Sequence, residues 1–211
     1  MLMNLLNSHP DICCNSDSQT ADILSHGDLW AFEQGFLGCN GKACGFLLKT
    51  KTKVHERIRP EQKLKVIFLT RDNKLEVFLS KEMAGKYGCY EKNGVALSDA
   101  AKVRLDTKPI FIDKFKLHKF FKDWESDELS ALQFIEKLDN IKVSYEDLVL
   151  DKQAVTRDIF NFLNLNEYRV SSTSGRGSEK LDRRTLVDSI LKYQELKKYF
   201  SKTSYYRYFK E

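Results

Sequence analysis

The sequence feature that most constrains the fold is a short apolar run followed by a turn and an amphipathic pattern. Residues 64–70 contain the continuous apolar run 66–69 and are rich in branched residues, which is typical of a strand buried on both faces of a parallel sheet. Asn73 can cap a helix, and Leu75, Leu79 and Met83 follow it at four-residue spacing, which favours an amphipathic helix. Residues 64–87 therefore predict a strand, a tight turn and a helix.

The same alternation of strand and helix recurs along the chain. Residues 43–48, 109–112 and 141–145 predict further strands, and helices are predicted to begin at Asp113 and after Asp151. Alternating strands and helices with short links indicate an α/β fold, in which helices flank a mainly parallel central sheet. We expect one domain over residues 1–211.

Three finer predictions concern the helices. Asp151 is the predicted N-cap of its helix, and Leu150 before it is the predicted staple residue. The helix from Asp113, with Phe115, His118 and Phe121 on its inner face, is expected to be followed by a second helix. One continuous helix is predicted near the C-terminus from an apolar stripe, which consists of Leu186, Ile190, Tyr193, Leu196 and Phe200.

Composition and apolar runs exclude several classes of protein. The chain has 211 residues, with three prolines and ten glycines and no repeat, which excludes collagen, solenoids and low-complexity scaffolds. The longest apolar run, residues 66–69, is far shorter than a membrane-spanning helix needs, and the N-terminus lacks a basic segment. We therefore expect a cytoplasmic protein without a membrane segment.

The five cysteines are an odd number without paired CxxC spacing. This pattern predicts reduced, mostly buried thiols and no metal site.

The charge of the chain is uneven. The net charge is +5, but residues 42–74 hold ten basic residues against three acidic ones, and residues 176–211 hold ten against five. These regions suggest an anionic partner, although lysines on solvated helix surfaces explain them equally well. Because no nucleic-acid-binding motif accompanies the charge, we expect no nucleic acid partner.

Arg71 and Ser80 form the most informative pair in the sequence. Arg71 follows the predicted strand, and Ser80 lies two turns into the helix after it. A guanidinium donates two parallel hydrogen bonds and a hydroxyl adds a third, so the pair can converge on one phosphate. The alternative is an ion pair of Arg71 with Asp72 or Glu76.

Three stretches, residues 9–12, 69–80 and 143–148, occur in an order that resembles the sulfotransferases. The chain looks similar to the bacterial carbohydrate-type enzymes related to the nodulation-factor sulfotransferases. The resemblance implies a P-loop-like sulfotransferase fold. It also implies transfer of a sulfuryl group from 3′-phosphoadenosine-5′-phosphosulfate (PAPS) to a hydroxyl of a carbohydrate-like acceptor, without a metal.

The resemblance also implies roles for individual residues. Arg71 and Ser80 correspond to the pair that holds the 3′-phosphate, and Arg176 and Lys180 lie in a segment similar to the loop that closes over the nucleotide. Asp17, eight residues after the histidine of the "HP" motif, is the implied general base, one carbon shorter than the usual glutamate. His9 is the second candidate. The alternatives are a turn residue for Asp17 and a capping or packed imidazole for His9.

The family's phosphosulfate-binding turn, of the type R-S-G-S/T, does not occur in the sequence, and residues 1–10 resemble the helix that follows it. We therefore expect a chain that is truncated at its N-terminus relative to the family, without the first strand and loop. The alternative function is a catalytically inactive remnant that keeps the fold and at most binds nucleotide.

Overall fold

The computed structural model describes residues 2–15, 41–46, 64–87, 109–169 and 185–209. Along the chain the described helices and strands are α1 (Leu2–Leu6), β1 (Ile12–Asn15), β2 (Ala43–Phe46), β3 (Lys65–Thr70), α2 (Lys74–Tyr87), α3 (Lys114–Ile135), β4 (Asp139–Ser144), α4 (Tyr145–Leu150), α5 (Lys152–Phe162), α6 (Leu186–Ser189), α7 (Tyr193–Phe200) and a 3-10 helix, η1 (Ser204–Phe209).

The chain divides into two compact units. The first unit consists of residues 1–70 and 127–176, and the second of residues 71–126 and 177–211. Each unit has its own cluster of buried apolar side chains. The prediction of one domain over residues 1–211 stays a prediction.

The first unit contains two pairs of parallel strands. β1 pairs with β2, and β3 pairs with β4 in a register that runs from Lys65 opposite Asp139 to Thr70 opposite Ser144. Successive residues of β3 pack in opposite directions, as the pleat of a strand requires. Phe68 packs with α3, and Ile67 packs with the cluster formed by α1, α4 and α5. The prediction that helices flank parallel strands, as in an α/β fold, is confirmed.

Burial on both faces of β3 is incomplete at its end. Phe68 is buried, but Leu69 is 39% exposed. The prediction of a strand covered on both faces therefore fails at Leu69.

The predicted helix caps at Asn73 and Asp151 are confirmed. The Asn73 Oδ1 accepts hydrogen bonds from the backbone N–H groups of Leu75 (3.1 Å) and Glu76 (3.3 Å). The Asp151 side chain accepts from the N–H of Ala154 at 2.9 Å. The first N–H groups of a helix lack partners within it, so these side chains determine where α2 and α5 begin.

The second unit is organised around aromatic rings. Phe200 is fully buried and lies 5.3 Å from the stacked ring of Phe209, and Phe121 lies 4.9 Å from Tyr205. These side chains bring α3, α7 and η1 together. Since aromatic side chains bury the largest apolar areas, they dominate the packing of this unit.

The predictions for the helix after Asp113 and for Leu150 are wrong. The two helices expected after Asp113 are one continuous helix, α3, and Phe115 on it is 65% exposed instead of buried. Leu150 is 86% exposed, so it does not act as a staple.

The single helix predicted near the C-terminus is interrupted. Ile190 leaves α6 in an extended conformation and forms a parallel bridge with Ile110, and Lys192 has a left-handed φ of 57° before α7 begins. Ile190 therefore pairs with Ile110 instead of continuing α6 into α7. The apolar stripe still faces inward, since Ile190, Tyr193 and Phe200 are all buried.

Candidate functional site

The turn between β3 and α2 holds the residues that the sequence singles out. Because Thr70 is in register with Ser144, β3 and β4 end at the same level of the sheet. Arg71 is the next residue of the chain after β3, and two residues later Asn73 caps α2. The local fold predicted from the sequence, a parallel strand followed by an arginine and a capped helix, is confirmed.

Arg71 is paired with a carboxylate of the following helix, α2. Its Nη2 donates to the Oε2 of Glu76 at 3.1 Å, and the two side chains are 25% and 27% exposed. This is one of the ion pairs left open as an alternative. Each side chain still reaches solvent, so an anion that approaches Arg71 meets both the guanidinium and a neighbouring carboxylate.

Ser80 is exposed on α2, one turn beyond Glu76. Residues four apart lie on the same face of a helix, with their Cβ atoms about 6 Å apart. Ser80 therefore shares the face that carries Glu76, whereas Leu75, Phe78 and Leu79 occupy the buried side. The surface that contains Arg71, Glu76 and Ser80 offers a guanidinium and a hydroxyl as donors, with a carboxylate between them.

His9 is buried and held by the backbone on both sides of its ring. It is 3% exposed. The Nδ1 accepts a hydrogen bond from the N–H of Asp11 at 3.0 Å, and the Nε2 lies 3.2 Å from the carbonyl oxygen of Asn166. These contacts match a neutral ring with its proton on Nε2. The ring also packs against Phe160 and Tyr168, with centroids at 4.8 and 5.1 Å.

The contacts of His9 favour a packed imidazole over a role as the general base. A general base needs a nitrogen lone pair directed at the substrate. The Nδ1 lone pair of His9 is instead directed at a backbone N–H group, and the other nitrogen serves as the donor to Asn166.

The remaining site predictions lie outside the described residues. Asp17, Arg176 and Lys180 belong to this group. Among the site residues that are described, Arg71 and Ser80 belong to the second unit and His9 to the first.

Within the described ranges, no group of three or more His, Cys, Asp or Glu side chains is arranged to hold a metal ion. In the same part of the chain, no helix has the length and apolar composition needed to span a membrane.

One surface feature was missed by the sequence analysis. Lys114, Phe115 and Tyr199 contact one another on the surface of the second unit. The helical period of α3 assigned Phe115 to the core. The lysines on both sides of it, Lys114 and Lys116, are the signal that could have indicated a surface position.

The cysteines differ in their bonding. Cys13 and Cys14 are free thiols of intermediate burial, whereas Cys44 is bonded in a disulfide. The prediction that the thiols are reduced is therefore wrong for Cys44.

We expect the stability of the protein to fall as the pH rises above about 9. Burial, with a smaller effect of Cys13, raises the pKa of the Cys14 thiol from 9.0 to about 11. The unfolded thiol thus loses its proton at lower pH than the folded one, so the Cys14 contribution is complete below pH 9 and is lost between pH 9 and about 11. Burial and the hydrogen bond to Glu125 also raise the pKa of Tyr205 above 10.0, which extends the loss in the same direction.

Urea unfolding of the wild type and of Cys14→Ala, each below pH 9 and near pH 10.5, measures this effect. The wild type is expected to lose more stability between the two conditions than Cys14→Ala. Cys13→Ala removes only the smaller cause of the raised pKa of Cys14, so it is expected to lose nearly as much stability as the wild type. Equal losses in the wild type and Cys14→Ala would exclude the Cys14 contribution.

Comparison with known proteins gives no relative for this chain: no family model matches it, and no curated protein or solved structure is significantly similar to it.

Proposed function

We propose that this chain is a sulfotransferase, which transfers a sulfuryl group from PAPS to a hydroxyl of a carbohydrate-like acceptor. The observation that carries the proposal is the order of the chain at residues 65–87, where the parallel strand β3 leads directly into Arg71 and the capped helix α2. In α/β folds, ligands bind beyond the carboxyl ends of the strands. We extend the proposal to a P-loop-like sulfotransferase fold and a cytoplasmic location.

The described part of the site suits a phosphate group. The Arg71 guanidinium is partly exposed, and the Ser80 hydroxyl lies along the same side of α2 as Glu76, the partner of Arg71. We assign Arg71 and Ser80 to the 3′-phosphate of the nucleotide, with Arg176 and Lys180 closing over it. Glu76 then acts as a competitor that the phosphate displaces from Arg71.

In this reaction the protein has two tasks: it holds the donor and the acceptor in position, and it accepts the proton of the acceptor hydroxyl. The donor supplies an activated sulfuryl group, whose bond to the phosphate oxygen breaks as the acceptor oxygen bonds to sulfur. The acceptor hydroxyl loses its proton, and we assign its removal to the Asp17 carboxylate. His9 is assigned a structural role, because both of its nitrogens already contact the backbone.

The ion pair of Arg71 favours one alternative, a catalytically inactive remnant that binds nucleotide at most. In such a chain Glu76 would hold Arg71 permanently. Transfer of labelled sulfate from PAPS to a panel of oligosaccharides separates the two functions, since only the enzyme gives a sulfated product.

Titration with adenosine 3′,5′-bisphosphate tests the phosphate site. We expect saturable binding that weakens about 30-fold in Arg71→Ala, because a charge-assisted hydrogen-bonded pair contributes about 2 kcal/mol. Glu76→Gln removes the competing carboxylate, so it is expected to tighten binding several-fold. Binding of adenosine 5′-monophosphate, which lacks the 3′-phosphate, is expected to respond to neither substitution.

The matched control is Lys81→Ala, which removes an exposed positive charge from the same helix. If Lys81→Ala weakens binding as much as Arg71→Ala, the affinity comes from general basicity. An unchanged affinity in Arg71→Ala would remove Arg71 from the phosphate site.

A further inference from the structure

Four large apolar side chains of the second unit are strongly exposed around the start of α3. They are Phe111 at 67%, Phe115 at 65%, Leu191 at 46% and Tyr199 at 38%. We call these four residues, together with Lys114, the aromatic–lysine surface. Single exposed apolar residues are ordinary, but exposed residues that lie together indicate an interaction site.

Phe111 and Leu191 are brought together by backbone pairing. Ile110 and Ile190 form a parallel bridge, and the N–H of Leu191 donates to the carbonyl of Ile110 at 2.8 Å. Both isoleucines are buried. Because successive side chains of an extended chain point in opposite directions, Phe111 and Leu191 point away from the core on the same side of the bridge.

Phe115 and Tyr199 form a second exposed pair. Their ring centroids are 6.2 Å apart with an interplanar angle of 77°. The Nζ of Lys114 lies 5.1 Å from the Phe115 centroid and 4.8 Å from that of Tyr199. Phe111 precedes Phe115 by four residues, so the two pairs lie within about 14 Å of each other.

The chain around these residues is basic. Residues 109–123 hold four lysines against Asp113 and Asp123, and residues 192–209 hold five basic residues against one acidic residue. Lys116 and Lys119 pair with Glu82 and Asp123, yet their side chains remain 60% and 78% exposed. An occupant of this surface must therefore match exposed apolar groups and positive charge together.

We propose that the aromatic–lysine surface binds the surface of an anionic lipid bilayer. Phe111, Phe115 and Leu191 have no polar atoms in their side chains, so they gain from entering the boundary between headgroups and acyl chains. Tyr199 presents an apolar ring with a polar end, which suits that boundary. The Lys114 ammonium, which lies over both rings, supplies a positive charge that attracts lipid phosphates.

The arrangement disfavours three other occupants. In a symmetric dimer the same basic surface would face its own copy, so like charges would oppose each other. A nucleic acid or an acidic polysaccharide would bind mainly through charge and ring stacking. Leu191 offers no ring, and Phe115 lies nearly edge-on to Tyr199, so the surface provides little area for ring stacking.

Sedimentation of the full chain with vesicles tests the proposal. We expect binding to phosphatidylcholine vesicles that contain about a third phosphatidylserine, and at least ten-fold weaker binding to pure phosphatidylcholine. The double variant Phe111→Ser, Phe115→Ser is expected to lower the partition coefficient at least 30-fold. Lys114→Gln is expected to lower it about five-fold, and added salt to weaken the wild type.

Leu150→Ser is the matched control, since Leu150 is 86% exposed in the first unit. This variant is expected to bind anionic vesicles as the wild type does. Because Phe111 and Phe115 are mostly exposed, the double variant is also expected to keep the thermal unfolding midpoint of the wild type.

Several outcomes would overturn the proposal. These are an absence of vesicle binding, equal binding to neutral and anionic vesicles, or a double variant that binds like the wild type. Loss of heparin binding in the double variant, without any vesicle binding by the wild type, would identify an acidic polysaccharide instead. A dimer in sedimentation velocity that the double variant abolishes would identify a second copy of the chain.

Discussion

Phe200→Ala is expected to lower the free energy of unfolding by about 3–5 kcal/mol, which is the usual cost of removing a buried phenylalanine ring. Phe200 is 0% exposed at the end of α7. Its ring stacks on Phe209 at 5.3 Å and meets Phe121 edge-on at 5.6 Å. Removal of the ring therefore leaves a cavity between α3, α7 and η1 that surrounding side chains fill only partly.

Urea unfolding followed by circular dichroism measures this loss. Tyr206→Ala provides the control, because it removes an aromatic ring from the same unit that is 44% exposed, and it is expected to cost less than about 1 kcal/mol. Similar losses for the two variants would contradict the packing described for Phe200.

His9→Ala is expected to lower the free energy of unfolding by about 3 kcal/mol. The substitution removes the hydrogen bonds of the ring with the N–H of Asp11 and the carbonyl of Asn166, and each such hydrogen bond contributes about 1 kcal/mol. The contacts with Phe160 and Tyr168 are lost as well. A purely catalytic histidine would instead be removable at little cost in stability.

His9→Asn separates the structural role from a catalytic one. An asparagine oxygen can accept the hydrogen bond from Asp11 in place of Nδ1, so this variant is expected to recover part of the stability lost in His9→Ala. If His9 were the base, His9→Asn would abolish sulfate transfer. Retention of transfer together with a stability loss in His9→Ala supports the structural role, and an unchanged stability in His9→Ala would contradict it.

Features that depend on neighbouring residues could be predicted from the sequence. β3, the Asn73 cap and α2 follow from an apolar run, a capping side chain and a four-residue period, all within residues 64–87. The ion pair of Arg71 with Glu76 was derivable as an alternative for the same reason, since the two residues are five positions apart.

Features that depend on distant residues could not be predicted in this way. The stripe that includes Ile190 and Phe200 indicated which side chains face inward, and both are buried. It also suggested one helix, whereas pairing with Ile110 holds Ile190 in an extended conformation. A period of apolar residues reports burial, but it does not report a competing backbone partner eighty positions earlier.

Local periodicity and capping account for the α/β character, the strand, turn and helix around Arg71 and the inward side of the final segment, because they act within a few residues. The exposure of Phe115 and the burial of His9, which contacts Asn166 157 positions away, depend on tertiary contacts. The physical reason is that burial and the choice of hydrogen-bond partner depend on which distant segments pack together. The sum of the contacts within the whole unit determines which segments pack together, and a local sequence pattern does not report those contacts.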